Sequence, residues 1–291
     1  EDIQQPRLLA MAANPPDLIP GATAELTALL TAQPTSTRWS WCPLVGSSNN
    51  GYPCLVDHDL LQAEVDKALG NGQFTVPPYD LGSNVSAELS NVVPAQVWLA
   101  ICSILQSGET DSPLTFSRCE ESFPVTIRID VTFGAKEITG IREVKLHYDD
   151  AAVVNTVPQL GAMTATALVN GTPISLDDMG SAELARDTSY SLEVALAEAE
   201  SERYLRDPLT GDPLENAREI LRLSWFHEGG ELDASATSFN EGSTQFSDAR
   251  ANEWRTPTMD ERTDDSSRLF IVIRDDRGGT SWVTSNLRFI R

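Results

Sequence analysis

Basic residues are scarce in this sequence of 291 residues. Lysine and arginine together number 21, against 43 aspartates and glutamates, and the formal net charge at pH 7 is −22. A surface this acidic repels the phosphates of nucleic acids and the headgroups of anionic lipids. Nucleic acids and bare membrane surfaces are therefore poor partners for the chain, whereas its charge is compatible with binding cations and basic proteins.

Long apolar runs and catalytic motifs are also lacking. The sequence contains no run of 18 apolar residues, which argues against a membrane-spanning helix. It has no G-x-S-x-G, no Walker loop and no G-x-G-x-x-G, and its histidines (His58, His147 and His227) follow no metal-ligand spacing. We therefore predict a protein that is not an enzyme. A polysaccharide-acting hydrolase stays open as an alternative, because so many acidic residues supply carboxylate pairs by chance.

Cysteines are few, and none forms the C-x-x-C pair of zinc sites and thioredoxin-like sites. We predict two local disulfides, Cys42–Cys54 and Cys102–Cys119, because each would close a polar loop between apolar segments. Each bridge would stabilise the fold by roughly 3 kcal/mol. Disulfides indicate an oxidising compartment, and four buried thiols in a cytosolic protein are the alternative.

Apolar residues that alternate with polar residues dominate the sequence. In "PVTIRIDVTF" (124–133), every second residue from Val125 to Phe133 is apolar, and the residues between them are polar. A period of two is typical of a strand with one face buried and the other in water. Similar short runs recur between turn signals. Residues 57–70 have helical spacing instead: Asp57 or Asp59 can cap the start, Gly70 can close the end, and the apolar stripe is Leu60, Leu61, Val65, Ala68 and Leu69. The chain is therefore predicted to be all-β, with antiparallel β-sandwiches, one short helix and loop insertions.

The chain repeats part of its own pattern. Three pairs of segments resemble each other in the same order: "WSWCPL" (39–44) and "LSWFHE" (223–228), "GQFTVPP" (72–78) and "NEWRTPT" (252–258), "PVTIRIDVTFG" (124–134) and "RLFIVIRDDRGG" (268–279). This repeat predicts two tandem Ig-like β-sandwiches, 1–148 and 149–291, with Trp41 and Trp225 on equivalent strands. Residues 79–123 have no counterpart in the second half and are interpreted as an insertion.

Two segments resemble known envelope domains. "PRLLAMAANPPDLIPGATAELTALL" (6–30) resembles the opening of Ig-like domains in uncharacterised cell-envelope lipoproteins of myxobacterial type, and "LFIVIRDDRGGTSWVTSNLRF" (269–289) is similar to PKD-type domains. The resemblance implies a β-sandwich that is periplasmic, outer-membrane-associated or extracellular, with a lipid anchor upstream. Because the sequence opens at Glu1, we expect a mature, processed form. The resemblance implies no shared activity.

Two adjacent carboxylates, Asp275 and Asp276, stand between two apolar runs near the end of the sequence. Neighbouring residues at a strand end point to opposite sides, so these carboxylates would not converge on one metal ion. The glycines that follow, Gly278 and Gly279, suit a tight turn. We therefore interpret "DDRGG" as the turn of a β-hairpin.

We predict no cofactor other than calcium, for which two acidic segments could supply ligands. Ca²⁺ binds six to eight oxygens, usually from a flexible loop. The candidate ligands are Asp149 and Asp150 at the domain junction, and Asp207, Asp212 and Glu215 in "DPLTGDPLE". Neither place matches the EF-hand pattern, so a solvated acidic turn is the alternative.

The insertion 79–123 contains an apolar run, "VWLAICSIL" (97–105), that something must cover. Its own domain could cover it as an extra strand, or a partner could cover it. We predict a protein partner that contacts the apolar side chains of Val97, Trp98, Leu99, Ile101, Ile104 and Leu105.

The function that follows is a non-catalytic secreted or cell-envelope subunit, structural or accessory, that mediates protein–protein assembly or surface binding. A calcium-dependent carbohydrate-binding module is the other alternative. Solvent exposure of Trp39, Trp98 and Trp254 would favour that binding module, because sugar rings stack on exposed aromatic side chains.

Overall fold

The structure is a computed structural model that describes residues 1–106, 122–176, 182–204, 217–262 and 264–290. The chain divides into two compact units. The first domain is Leu8–Thr156. The second domain is Val157–Arg291 together with Glu1–Arg7.

This division differs from the predicted one, 1–148 and 149–291, at both ends of the first domain. The junction lies at Thr156 rather than at Tyr148. At the start of the chain, the Ile3 amide donates to the His227 carbonyl (2.7 Å), and the His227 amide donates to the Glu1 carbonyl (3.1 Å). The first residues therefore join the second domain through main-chain hydrogen bonds, which a pattern of side chains does not predict.

The first domain contains eight strands and two α-helices among its described residues. The strands are β1 (Leu8–Asn14), β2 (Asp17–Leu18), β3 (Thr23–Leu30), β4 (Ser36–Cys42), β5 (Asp80–Gly82), β6 (Ala87–Ser90), β7 (Ser122–Phe133) and β8 (Lys136–His147). The helices are α1 (His58–Leu69) and α2 (Ala95–Gln106). The strands form two sheets, β1-β3-β6 and β2-β8-β7-β4-β5, in which β2 pairs parallel with β8 and the other pairs are antiparallel.

The second domain follows the same plan. Its strands are β9 (Met163–Ala167), β10 (Ile174–Leu176), β11 (Ala182–Ala185), β12 (Ser189–Val194), β13 (Arg203–Tyr204), β14 (Ala217–Arg218), β15 (Leu221–His227), β16 (Glu231–Leu232), β17 (Ala236–Phe239), β18 (Ala251–Arg255), β19 (Ser266–Arg274) and β20 (Thr280–Ile290). A short helix, α3 (Phe246–Ala249), precedes β18. The two large sheets are β10-β9-β12-β18-β16 and β11-β20-β19-β15-β17, and β13 pairs with β14 in a separate hairpin.

The predicted repeat is visible in the strand orders. The sheet β2-β8-β7-β4-β5 matches β11-β20-β19-β15-β17 position by position, including the parallel pair at one edge. Trp41 on β4 pairs with Ile127, and Trp225 on the equivalent β15 pairs with Ile271. The fold is therefore two tandem Ig-like β-sandwiches, as predicted, with the two tryptophans on equivalent strands.

One pair of the proposed repeat is wrong. Residues 72–78 form no strand, and the topological equivalent of β18 in the first domain is β6. The similarity of "GQFTVPP" to "NEWRTPT" depended on a proline and a few β-forming residues, which occur in loops as well as in strands.

The alternation in β7 builds the core of the first domain. Val125, Ile127, Ile129 and Val131 are buried, whereas the residues between them are partly exposed. In the second domain, every residue of β19 from Leu269 to Ile273 is buried, so both faces of this central strand are covered. These central strands bring the connecting segments to fixed places at the ends of each sandwich.

The predicted helix at 57–70 is confirmed as α1. The Asp57 carboxylate accepts a hydrogen bond from the Asp59 amide (2.8 Å) and caps the start, and Gly70 follows the last turn with φ +101°. Leu61 and Val65 point into the core. Leu60, predicted on the same apolar stripe, lies on the exposed side instead.

The structure has a second helix, α2, where only one short helix was predicted. The run "VWLAICSIL" lies in this helix, whereas we expected it to form an extra strand or to be covered by a partner. The buried residues of this run, Val97, Trp98, Ile101 and Cys102, have helical spacing. The Val97 amide donates to the Pro94 carbonyl (2.9 Å) in the first turn. A short continuous apolar run fits a buried strand and a buried helix equally well, which is why its periodicity did not decide between them.

The segment "DDRGG" is a hairpin turn, as predicted, between β19 and β20. The Asp275 carboxylate accepts hydrogen bonds from the amides of Arg277 (2.9 Å) and Gly279 (2.7 Å). The Asp275 amide donates to the Gly279 carbonyl (3.1 Å), and Gly278 has φ +107°. One carboxylate therefore shapes the turn, which leaves it unsuited to pair with Asp276 on a metal ion.

Candidate functional site

Two insertions distinguish the first domain from the second. Residues 43–79 connect β4 to β5, and residues 91–121 connect β6 to β7, whereas the second domain makes the same connections with 228–235 and 256–265. The predicted insertion, 79–123, therefore contained β5 and β6, which belong to the sandwich itself. Of the second insertion, the structure describes residues 91–106.

Both insertions leave the same end of the sandwich. Cys42, the last residue of β4, pairs with Thr126 near the start of β7, so the first insertion begins beside the point where the second one ends. The helices of the two insertions, α1 and α2, are accordingly in contact. We call the described residues of both insertions, 43–79 and 91–106, the helical end of the first domain.

A disulfide and an arginine hold the first insertion on the sheet. The predicted Cys42–Cys54 bridge is confirmed, with Cα atoms 5.7 Å apart. The Arg128 guanidinium donates to the carbonyls of Gly51 (3.0 Å) and Tyr52 (3.2 Å) within the bridged loop. Its other nitrogens pair with the Asp130 carboxylate at 2.9 Å, which fixes the direction of the guanidinium.

Aromatic side chains anchor the second insertion. Trp98 of α2 stacks on Phe123 with ring centroids 4.5 Å apart, and it meets the edge of Trp41 at 6.3 Å. Tyr79 meets Trp41 from another side at 4.9 Å. These rings extend the sandwich core under the helices, so the helical end has a fixed shape.

The titratable groups beneath the helices are held in structural roles. The Nε2 atom of His58 lies 3.2 Å from the carbonyl oxygens of Val76 and Pro77, which requires a proton on that nitrogen. Burial raises the pKa of the Tyr79 hydroxyl, and the nearby charge of Asp57 raises it further. The Tyr79 hydroxyl is therefore not suited to act as a base near neutral pH.

The outer side of the helical end is apolar and acidic. Leu60 of α1 and Leu99 of α2 have exposed fractions of 54% and 44%, and Leu55 in the loop before α1 is also exposed. The acidic residues of this segment are Asp57, Asp59, Glu64 and Asp66, and Lys67 is paired with Glu64. Exposed leucines and carboxylates of this kind suit contact with a partner that is partly apolar and partly basic.

The predicted partner-binding residues divide into three groups. Val97, Trp98 and Ile101 are buried in their own domain, so the prediction that these side chains contact a partner is wrong. Leu99 points outward. The side chains of Ile104 and Leu105 lie outside the described residues.

The predicted disulfide Cys102–Cys119 and the predicted calcium ligands are only partly within the described chain. Cys102 is disulfide-bonded, and Cys119 lies outside the described residues, so this pairing stays a prediction.

Of the predicted calcium ligands, Asp207, Asp212 and Glu215 lie outside the described residues. The Asp149 carboxylate accepts from the Ala151 amide (2.9 Å) and so caps a turn beside Asp150. Among the described residues, no group of three or more His, Cys, Asp or Glu side chains is arranged to hold a metal ion.

A buried polar cluster in the first domain was missed by sequence reasoning. The Asn91 side-chain amide donates to the carbonyls of Leu18 (2.9 Å) and His147 (3.0 Å), and the Asp17 carboxylate lies 3.5 Å from the His147 ring. Burial alone would raise the pKa of Asp17, but His147, Lys145 and the Asn155 amide together hold it below its ordinary value. The cluster joins β2, β8 and the segment after β6, which are far apart in sequence and carried no recognisable motif.

Comparison with known proteins finds only remote structural similarity. No family model and no curated protein matches the chain. A chimeric titin Z1Z2-Z1Z2 tandem is 11% identical over 99% of this chain and 100% of that chain (TM-score 0.25). Extracellular domains 3–5 of Drosophila OTK are 11% identical over 99% and 62% (0.23), and the Protocadherin GammaB4 extracellular domain is 12% identical over 100% and 35% (0.21). TM-scores this low carry no argument about function or partners.

One feature bears on location. The Cys42–Cys54 disulfide indicates an oxidising compartment outside the cytoplasm. No helix in the described part of the chain is both long enough and apolar enough to cross a membrane.

Proposed function

We propose that this protein is a non-catalytic subunit of a cell-envelope or extracellular assembly, and that it binds a protein partner through the helical end of its first domain. One observation carries the proposal. The same Ig-like fold occurs twice in the chain, and in the described part of the chain only the first copy has two helical insertions. A disulfide and Arg128 brace the first of these insertions, and both insertions expose leucines.

The partner that fits this surface is a protein with an apolar contact edged by basic residues. Insertions on a rigid sandwich commonly carry recognition. Leu60 and Leu99 supply apolar contact area, and the fully exposed carboxylate of Asp59 would attract lysines and arginines around it. The net charge of −22 adds long-range attraction for a basic protein.

The alternative of a carbohydrate-binding module loses support from the same structure. Trp39, Trp98 and Trp254 are buried, so they form no exposed platform for a sugar ring.

We propose a periplasmic, outer-membrane-associated or extracellular location, with a lipid anchor upstream of Glu1, on the model of the envelope lipoproteins that the sequence resembles.

Substitution of exposed leucines tests the proposal. Leu60→Glu and Leu99→Glu leave the core intact and should abolish co-purification of the partner that the unaltered protein retains. Leu168→Glu, at a position of the second domain that is 50% exposed, is the matched control and should leave co-purification unchanged. Equal retention by all three variants would contradict the proposed surface.

A further inference from the structure

The Cys42–Cys54 disulfide joins a buried cysteine to an exposed one. Cys42 is the last residue of β4, has an exposed fraction of 5%, and pairs with Thr126 of the neighbouring strand. Cys54 lies in the first insertion and is exposed, and so are the residues on either side of it, Pro53 and Leu55. One end of the bridge is therefore covered by the domain, and the other end is in contact with solvent.

This difference in burial decides where an external thiol can attack the bridge. A thiolate cleaves a disulfide by attacking one of its two sulfurs, and the rate depends on access to that sulfur. The Cys54 end is open to solvent, whereas the Cys42 end is covered. Burial makes Cys42 the slower leaving group. Attack at Cys54 still dominates, because a thiol that cannot reach the Cys42 sulfur does not react with it.

The loop between the two cysteines has contacts that do not depend on the bridge. The Leu55 amide donates to the Leu44 carbonyl (2.8 Å), and the Gly46 amide donates to the Pro53 carbonyl (2.8 Å). These hydrogen bonds lie on both sides of Cys54 along the chain.

Arg128 holds the same loop through the carbonyls of Gly51 and Tyr52. Together with the main-chain hydrogen bonds, this contact keeps Cys54 near Cys42 when the sulfur–sulfur bond is broken. A thiol held close to a mixed disulfide attacks it far faster than a thiol free in solution.

We propose that Cys54 is a site of reversible thiol exchange, at which a small thiol forms a mixed disulfide and Cys42 acts as the resolving thiol. In the forward step, the thiolate attacks the Cys54 sulfur and bonds to it. The bond between the two cysteines breaks, and Cys42 leaves as a thiolate that takes a proton from water. In the reverse step, the Cys42 thiolate attacks the Cys54 sulfur and expels the small thiol.

The exchange needs no co-reactant other than the thiol, since each step breaks one sulfur–sulfur bond and forms another. It also needs no protein partner, so the proposal does not depend on the function proposed for the helical end.

Mass spectrometry of the unaltered full chain tests the site of attack. The probe is cysteamine, a cationic thiol that the net charge of −22 does not repel. After a brief reaction and an acid quench, the cysteamine adduct should be found on Cys54, with Cys42 as the free thiol. An adduct on Cys42, or equal adducts on both residues, would overturn the proposal.

Reversal of the same reaction tests the role of Cys42. When free cysteamine is removed and the pH is returned to neutral, the adduct should disappear and the bridge should form again. The matched reaction uses Cys42→Ala, in which the adduct on Cys54 should persist. An adduct that persists equally in the unaltered protein would contradict a resolving role for Cys42.

Two single variants test access without the bridge. Cys42→Ala leaves a thiol at Cys54 and Cys54→Ala leaves one at Cys42, and both variants lack the same bond. With dithiodipyridine, a neutral disulfide, Cys42→Ala should react roughly tenfold faster or more. The variant with both residues replaced gives the background, because Cys102 keeps its own bond. Equal rates in the two single variants would contradict the difference in access.

Discussion

Replacement of Trp98 by alanine tests whether α2 is part of the first domain's core or a segment that needs a partner to cover it. Trp98 has an exposed fraction of 0% and contacts both Phe123 and Trp41. Truncation of a buried tryptophan typically costs about 3–5 kcal/mol, from lost transfer free energy and the cavity left behind. For a domain of this size, that loss lowers the melting temperature by roughly 10 °C.

Scanning calorimetry of the full chain measures this effect, with the second domain as an internal reference. Trp98→Ala should lower the transition of the first domain and leave that of the second domain unchanged. Leu99→Ala is the matched control, because Leu99 is the next residue of the same helix and points outward. It should change stability by no more than about 0.5 kcal/mol. Equal effects of the two substitutions would refute the reasoning that α2 is packed into its own domain.

Three further predictions concern the remaining features. Gly230 has φ +86°, and a Cβ there would lie 2.2 Å from the Arg255 carbonyl oxygen, so Gly230→Ala should destabilise the second domain by roughly 2–3 kcal/mol. Gly242→Ala is the control, because Gly242 has a similar φ of +84° but no atom within 4 Å of an added Cβ; it should cost about 1 kcal/mol by the same calorimetry. Equal losses of stability in the two variants would contradict the clash at Gly230. Replacement of Cys42 and Cys54 by alanine, which removes this bridge and leaves the bond of Cys102 in place, should destabilise the first domain by about 3 kcal/mol. An unchanged transition would show that the bridge does not brace the insertion. Millimolar Ca²⁺ should raise a melting temperature if Asp207–Glu215 binds it, and identical curves with calcium and with chelator would remove that proposal.

The sequence predicted those parts of the fold that depend on regular periodicity. Alternation in 124–133 identified β7, because one face of that strand is buried and the other is not. The repeated Ser-Trp pair identified β4 and β15, since the core of each domain buries a tryptophan at the same place on this strand. An aspartate cap and a closing glycine identified α1.

Other features could not be predicted, for physical reasons that differ. The apolar run in α2 has a single polar residue, Ser103, which is too few to show its period. The pairing of Ile3 with His227 depends on main-chain groups, which every residue carries. Leu60 and Leu99 could be identified as surface residues only when the packing of the two helices was known.

Site-specific photo-cross-linking tests the central claim most directly. A photoreactive residue at position 60, 99 or 168 would be introduced into the full chain in the cells that produce it, and the cross-linked partner would be identified by mass spectrometry. Positions 60 and 99 on the helical end should cross-link to the same protein, at a site with neighbouring lysines or arginines, and position 168 should not. Cross-links from position 168 alone, or none from 60 and 99 within an intact assembly, would contradict the account.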